Sequence, residues 1–206
     1  MTPRPGRRPG ESGTRSAIIR AARRRFADLG YDGATYRGIA SEAGVDPALI
    51  RHYYGSKENL FVAAMRLPFS PGEALDEALR SDPEHLGENI LAAALRAWGL
   101  PQARASALGV LRAAATQAET ARMLQEFVQQ TIVRRIADSL GTPHADLRAS
   151  LVASQVAGLV VTRYLLRIEP IASLTDDELQ TALAPTLQRY ITGDITPTHP
   201  AARTSG

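Results

Sequence analysis

The sequence contains no cysteine among its 206 residues, and Lys57 is the only lysine among its 24 basic residues. The absence of cysteine excludes a disulfide framework, a zinc site with thiolate ligands and a cysteine nucleophile. It agrees with a reducing compartment, in which disulfides are rare. We therefore expect a cytoplasmic protein that is stabilised by its apolar core.

The long apolar runs that direct a chain to a membrane are also missing. Residues 1–13 have no apolar centre of the kind found in a secretory signal peptide, so none is expected. Only residues 149–166 form a stretch long enough to consider as a span, and polar side chains interrupt it at Ser150, Ser154, Gln155, Thr162 and Arg163. This stretch predicts a buried helix and no membrane partner.

Sequence motifs of common enzymes are absent. The chain has no Gly-x-Ser-x-Gly elbow, no Walker-type phosphate loop and no His-Glu-x-x-His metal motif. Its four histidines are far apart in the sequence, at His52, His85, His144 and His199. We therefore predict no catalytic residue, no cofactor and no metal site.

Positive charge is concentrated in the first third of the chain. Residues 1–66 hold 12 Lys and Arg against six Asp and Glu, whereas residues 67–206 hold 12 against 15. The first segment therefore carries a net charge of +6 and the second a net charge of −3. This asymmetry favours a polyanion such as DNA as the partner of the first segment.

Apolar residues at helical spacing predict a first helix that begins after Thr14 and ends at Gly30, before a turn at residues 31–33. Its side chains expected to face a core are Ile18, Ala22, Phe26 and Leu29. Three shorter helices should follow. Their predicted caps and turns are Thr35 at the start of the second, Gly44 at its end, Asp46 with Pro47 at the start of the third, and Ser56 at the start of the fourth.

Beyond a break at residues 67–72, proline and glycine separate the remaining predicted helices. These helices lie near 73–80, 84–99, 102–116, 119–140, 145–167 and 175–191, and no strand is predicted. Thr175 and Glu178 have the spacing of a capping box at the start of the last helix, which Pro185 should kink.

Two short helices joined by a tight glycine-containing turn and packed on a longer helix are typical of a helix-turn-helix. The residues of this region, Thr35–Asp46 and then Ile50–Leu60, resemble the TetR family of repressors. The resemblance extends back to Ala21–Ala22, Phe26–Ala27 and Gly30–Tyr31. It implies a ligand-responsive transcriptional regulator, in the family's usual mode a repressor that binds a palindromic operator as a dimer and is released by a small-molecule effector.

The resemblance also implies an all-α fold with two domains. A three-helix helix-turn-helix DNA-binding domain is expected at 14–66, and a larger helical domain for effector binding and dimerisation at 67–192. Residues 1–13 are interpreted as a disordered basic arm and residues 193–206 as a disordered tail. Three residues of the arm could reach an adjacent groove of DNA or belong to a tail without function, namely Arg4, Arg7 and Arg8.

The third helix should enter the major groove of DNA. Arg51 is the candidate for reading guanine, with a phosphate contact almost as well supported, and Ala48 or Leu49 could meet a thymine methyl. The family commonly has a Leu-Tyr pair where this chain has Ile50-Arg51, so the usual tyrosine contact is expected from Arg51 or Tyr53 instead. The predicted DNA-binding residues are Thr35, Arg37, Pro47, Ala48, Leu49, Arg51, His52, Tyr53 and Lys57, of which Thr35, Arg37 and Lys57 are expected at phosphates.

The C-terminal half carries two further expectations. The helix at 145–167 is apolar on nearly all sides and contains the small residues Ala153, Ala157 and Gly158, so it should pack with 175–191 against a second copy in a four-helix interface. An intramolecular core is the alternative. Candidates for the lining of an effector pocket are Trp98, Met123, Phe127 and Tyr164, each of which could instead be core or surface.

A different class of function is also compatible with the basic first third. A helical architectural protein would use it for DNA contacts that do not depend on sequence. A regulator should prefer one palindromic site by roughly a thousandfold or more over bulk DNA, and an architectural protein should not.

Overall fold

The structure, a computed structural model, describes residues 11–195, and this part of the chain contains helices and no strand. The expected all-α class is thereby confirmed. The first helices are α1 (Glu11–Gly33), α2 (Tyr36–Ala43), α3 (Pro47–Tyr54), α4 (Lys57–Met65) and α5 (Pro71–Ala78). They are followed by α6 (Leu86–Trp98), α7 (Pro101–Thr116), α8 (Ala118–Val128), α9 (Arg134–Leu140), α10 (Ala145–Leu159) and α11 (Asp176–Thr192).

Three shorter helical segments extend this order. A 3₁₀ turn at Pro83–His85 precedes α6, and π-helical turns follow α8 at Gln129–Val133 and α10 at Val160–Leu165. The sequence predicts continuous helices at 119–140 and 145–167, without these wider turns. Helix α11 contains Pro185, at which a kink was predicted, and is assigned as one continuous helix from Asp176 to Thr192. The predicted basic arm at Arg4, Arg7 and Arg8 lies outside the described residues, as does the tail after residue 195.

The first helix begins earlier than expected, at Glu11 rather than after Thr14. Its predicted end at Gly30 agrees with the backbone, because Gly30 has a non-helical φ of 77° and ψ of 179° and divides α1 into two helical stretches at a kink. The second stretch includes residues 31–33, which were predicted as a turn and are helical. Leu29, directly before this kink, is exposed, whereas Tyr31, directly after it, is buried in the core.

The chain forms two compact units. Unit 1 contains the described residues up to Ala74 together with Arg96–Ile132, and unit 2 contains Leu75–Leu95 with the residues from Val133 onward. Helices α7 and α8 thus group with the first four helices. The predicted boundary at residue 67 does not coincide with this division, and the assignment of 67–192 to one functional domain stays a prediction.

Unit 1 has an aromatic core to which helices from distant parts of the sequence contribute. The ring of Phe61 lies 5.0 Å from that of Phe26, 5.2 Å from that of Tyr31 and 4.3 Å from that of Phe127, between centroids. Phe127 comes from α8, which packs along α1. Such ring pairs add stability beyond the area that they bury, so α8 is part of the support of the first four helices.

Unit 2 is built around aliphatic side chains of α6, α9, α10 and α11. Its most buried residues include Leu91, Ile136, Val152, Leu179, Leu187 and Ile191. The capping box predicted at the start of α11 is confirmed, because Glu178 N–H donates to the Thr175 hydroxyl and Thr175 N–H donates to the Glu178 carboxylate. No helix of residues 11–195 is long and apolar enough to cross a membrane.

Candidate nucleic-acid interface

Helices α2 and α3 begin at the caps that the sequence predicts. The Thr35 hydroxyl accepts the N–H of Gly38 at 3.1 Å, and an Asp46 carboxylate oxygen accepts the N–H of Ala48 at 2.7 Å. Between these caps, Gly44 has a φ of 68° in the left-handed region, where a side chain is strained. The turn itself is closed by the N–H of Gly44, which donates to the Ser41 carbonyl oxygen at 3.3 Å, and by the N–H of Val45, which donates to the Ala40 carbonyl oxygen at 3.0 Å.

Helix α3 packs on the core of unit 1 with one side and exposes its other side to solvent. Ile50 is completely buried in the core of unit 1. The exposed residues of the helix are Pro47, Ala48, Arg51 and His52, while Leu49 and Tyr53 are half-buried. A helix that is anchored by a buried residue and exposes arginine, histidine and small side chains can enter a groove of DNA.

Two of the exposed cations near α3 lie on aromatic rings. The guanidinium carbon of Arg51 is 5.8 Å from the centroid of the Tyr36 ring, and that of Arg15 is 4.7 Å from the centroid of the Tyr53 ring. Arg15 and Tyr36 are absent from the predicted interface. Arg15 is 38 positions before Tyr53, and no periodic pattern relates such distant residues. Two features of the sequence could have indicated Tyr36: it directly follows the predicted cap Thr35, and it lies within the segment that resembles the TetR family.

Lys57 has partners within the protein. Its ammonium donates to the Asp32 carbonyl oxygen at 3.1 Å and lies 4.9 Å from the centroid of the Tyr31 ring. Burial lowers the pKa of Lys57, and the negative charges of Asp32 and Glu126 oppose that shift. The expected phosphate contacts of Lys57, of the capping residue Thr35 and of the exposed Arg37 stay predictions.

The three successive arginines of α1 brace the helices that surround the turn. Arg23 donates to the Ala64 carbonyl oxygen at 2.7 Å, and both Arg24 and Arg25 bind the carboxylate of Glu42 on α2. Hydrogen bonds from Arg24 and then Arg25 lower the pKa of Glu42. This patch therefore stabilises the scaffold of the interface.

The four candidate effector residues are divided between the two units. Met123 and Phe127 are buried in the core of unit 1, and Trp98 of the same unit packs edge-on against Phe69 at 5.5 Å. Tyr164 belongs to unit 2, where the Arg163 guanidinium lies over its ring. Met123 and Phe127 fill space in the core because their helix, α8, packs on α1.

A cleft in unit 2 is too small for an effector in this conformation. It is lined by Leu91, Gln155, Val156, Leu159, Leu183 and Leu187 and has a volume of about 10 Å³. Such a volume accommodates about one water molecule. Effector binding here would require the lining to open.

Helices α10 and α11 pack on each other and leave part of α10 exposed. The guanidinium of Arg148 donates to three carbonyl oxygens at the end of α11, at 2.8 Å from Tyr190, 3.2 Å from Ile191 and 2.8 Å from Gly193. The side of α10 that contains Ser154, Ala157 and Gly158 is exposed. Small side chains on an exposed helix face allow close approach of another helix.

Comparison with known families decides the classification. Residues 84–191 match the family model described as "Tetracyclin repressor-like, C-terminal domain", which is more than half of the chain. Residues 18–64 match the model "Bacterial regulatory proteins, tetR family". The chain belongs to the TetR family. This is a family of transcriptional regulators and not of enzymes.

Relatives of this TetR-family chain are recognisable over part of their length. It is 38% identical over 94 residues to the HTH-type transcriptional regulator BetI of Rhizobium meliloti, which is 46% of this chain and 39% of BetI. It is 45% identical over 53 residues to the HTH-type transcriptional repressor AcnR of Corynebacterium glutamicum, which is 26% of this chain and 28% of AcnR. The chain thus spans well under half the length of these curated relatives.

Among solved structures, a TetR-family regulator from Streptomyces coelicolor is similar to most of the chain. The two are 35% identical, and the alignment covers 91% of this chain and 99% of that one, with a TM-score of 0.49.

Proposed function

We propose that this chain is a DNA-binding transcriptional regulator that acts in the cytoplasm as a homodimer on a palindromic operator. The observation that carries the proposal is helix α3, which is anchored by the buried Ile50 and exposes Arg51 and His52. The excess of positive charge in residues 1–66 supports it, because cationic side chains replace the counterions of the phosphate backbone. Repression is the mode expected for the family.

The proposed dimer uses α10 and α11. Two copies that associate through these helices would form a four-helix interface, for which the exposed small residues of α10 are suited. A two-fold dimer places two α3 helices on successive major grooves, about 34 Å apart along the DNA. A palindromic operator would then match the symmetry of the protein.

The proposed effector is a small molecule that favours a dimer with altered spacing of the two α3 helices. A coupling free energy of about 1–3 kcal/mol between effector and DNA would lower operator affinity roughly five- to 150-fold. Trp98, Met123, Phe127 and Tyr164 remain the proposed effector residues. The burial of Met123 and Phe127 means that an effector could contact them only after rearrangement of the unit 1 core.

Selection of bound duplexes from a random DNA pool tests the proposal. We expect one palindromic sequence, preferred over bulk DNA by about a thousandfold or more in competition at fixed salt. Arg51→Ala should weaken binding to that sequence by about 1–3 kcal/mol. Arg112→Ala, which removes an exposed arginine of α7, is the matched control and should leave binding unchanged. Equal affinity for all sequences would indicate an architectural protein instead.

A further inference from the structure

Tyr36 lies beneath the side chain that is proposed to read DNA. It is the first residue of α2, is half-buried and packs against the core of unit 1, whereas Arg51 on α3 is exposed. The distance of 5.8 Å from the Arg51 guanidinium carbon to the ring centroid is within the range of about 6 Å for a cation–π contact. The ring is thus the fixed member of the pair and the guanidinium the free one.

The Tyr36 ring is itself oriented by the end of α3. Its hydroxyl donates to the Gly55 carbonyl oxygen at 3.4 Å, and the Gly55 N–H donates to the Arg51 carbonyl oxygen at 2.8 Å. Burial raises the pKa of Tyr36, with Arg51 opposing the shift, so the hydroxyl keeps its proton at neutral pH and remains a donor. The same short segment of α3 therefore positions both the ring and the arginine.

We propose that Tyr36 is a positioning residue that determines DNA specificity by holding the Arg51 guanidinium in the orientation that reads a guanine. This inference rests on the proposed function. Bidentate recognition of guanine requires a fixed guanidinium plane, and an arginine that is ordered before binding loses less conformational freedom on binding. Contacts with phosphates depend mainly on charge and need no such orientation. Tyr36 should therefore affect specific binding and leave binding to bulk DNA almost unchanged.

Two substitutions in the full-length chain separate the ring from the hydroxyl. Tyr36→Leu removes the cation–π contact, and Tyr36→Phe retains it while removing the long hydrogen bond to Gly55. For a duplex of the sequence recovered by selection, we expect Tyr36→Leu to lower the affinity about two- to tenfold. Tyr36→Phe should stay within about twofold of the unchanged chain. Both variants should bind bulk DNA with the affinity of the unchanged chain, measured by competition at one salt concentration.

A double-mutant cycle tests whether Tyr36 acts through Arg51. In a chain that carries Arg51→Ala, Tyr36→Leu should have no further effect on specific binding. Arg37 provides the matched control, because it is also exposed and lies over no aromatic ring among residues 13–195. In the double variant Tyr36→Leu with Arg37→Ala, the fold losses of affinity for the selected sequence should therefore multiply. Thermal unfolding of each variant shows whether it is folded at the temperature of the binding measurement.

Several outcomes would overturn the inference. One is an equal loss of specific and bulk affinity in Tyr36→Leu, which indicates a purely structural role. Another is a loss of specific affinity from Tyr36→Leu that is equally large in the unchanged chain and in the chain that carries Arg51→Ala. If the unchanged chain prefers one sequence and Arg51→Ala reduces that preference while Tyr36→Leu does not, only this inference fails. If the unchanged chain has no preference, the proposed function fails and the inference with it.

Discussion

At the scale of single residues, the carboxylate of Glu58 organises the segment that follows α4. Glu58 is 8% exposed, and one of its oxygens accepts the Ser70 hydroxyl at 2.9 Å and the Gly72 N–H at 2.8 Å. Gly72 is buried, so its N–H has no water to replace a lost acceptor. A buried donor left without an acceptor costs about 1–3 kcal/mol.

Glu58→Ala should therefore lower the free energy of unfolding by about 1–3 kcal/mol, measured by urea denaturation at fixed protein concentration. Glu73→Ala is the matched control. Glu73 also accepts a hydrogen bond, from the Asn59 side chain at 3.1 Å, but it is exposed, and its loss should cost less than about 0.5 kcal/mol. Comparable losses in the two variants would contradict the role given to Glu58.

Glu42 predicts a dependence of stability on pH. Because Arg24 and Arg25 hold its pKa below the usual value of 4.5, the folded chain keeps this carboxylate ionised at a pH at which the unfolded chain protonates it. The stabilisation is therefore complete above about pH 4.5 and is lost as the pH falls through the lower pKa of the folded state. The Tm of the unchanged chain should exceed that of Glu42→Gln at pH 7, and the gap should narrow below pH 4.5.

The matched control for Glu42 is Glu77→Gln. Glu77 is exposed on α5 and forms no ion pair within the described chain. The difference in Tm between this variant and the unchanged chain should be small at both pH values. A gap for Glu42→Gln that is the same at pH 7 and in acid would contradict the assignment.

At the scale of elements, two glycines differ in whether their backbone conformation tolerates a side chain. Gly44 ends α2 with a φ of 68°, whereas Gly109 lies inside α7 with ordinary helical backbone. A Cβ at either position would meet no atom within 4 Å. The backbone conformation alone therefore decides the effect of alanine.

Gly44→Ala should destabilise the protein by about 1–2 kcal/mol, because an L-residue is strained in the left-handed region. Gly109→Ala should stabilise it by about 0.5–1 kcal/mol, because alanine restricts the unfolded chain and favours the helix. Urea denaturation of both variants under one condition gives the two values. A Gly44→Ala variant that is as stable as the unchanged chain would show that the turn does not depend on the positive φ of Gly44.

The elements that sequence predicts well are those whose signals are local. Thr35, Asp46, Ser56 and Thr175 all cap the helices expected of them, because a cap depends on a side chain and the N–H groups two or three residues later. The exposure of Leu29 was missed, because periodicity indicates which side of a helix is apolar and not how far along the helix that side is covered. The π-helical turns had no local signal either.

At the scale of the whole molecule, the sequence predicted the all-α class and the region of the helix-turn-helix but contained no signal for the packing of α8 on α1. The contacts of Phe127 with Tyr31 and Phe61 join residues 66 or more positions apart. Periodicity indicates which side of a helix is buried and not which helix covers it. The same limit left pocket lining and core as alternatives for Met123 and Phe127, both of which are buried in the core of unit 1.

The proposed homodimer depends on the exposed small residues of α10, and Ala157→Arg tests it. If a second copy covers this side, the arginine places an unpaired charge in an apolar interface and should weaken association by about 3 kcal/mol or more, over a hundredfold in Kd. Sedimentation equilibrium should then detect monomers at concentrations at which the unchanged chain is dimeric. Ala115→Arg makes the same exchange at an exposed position of α7 and should remain dimeric. Unaltered association of Ala157→Arg would exclude this side of α10, and the copies would have to meet elsewhere.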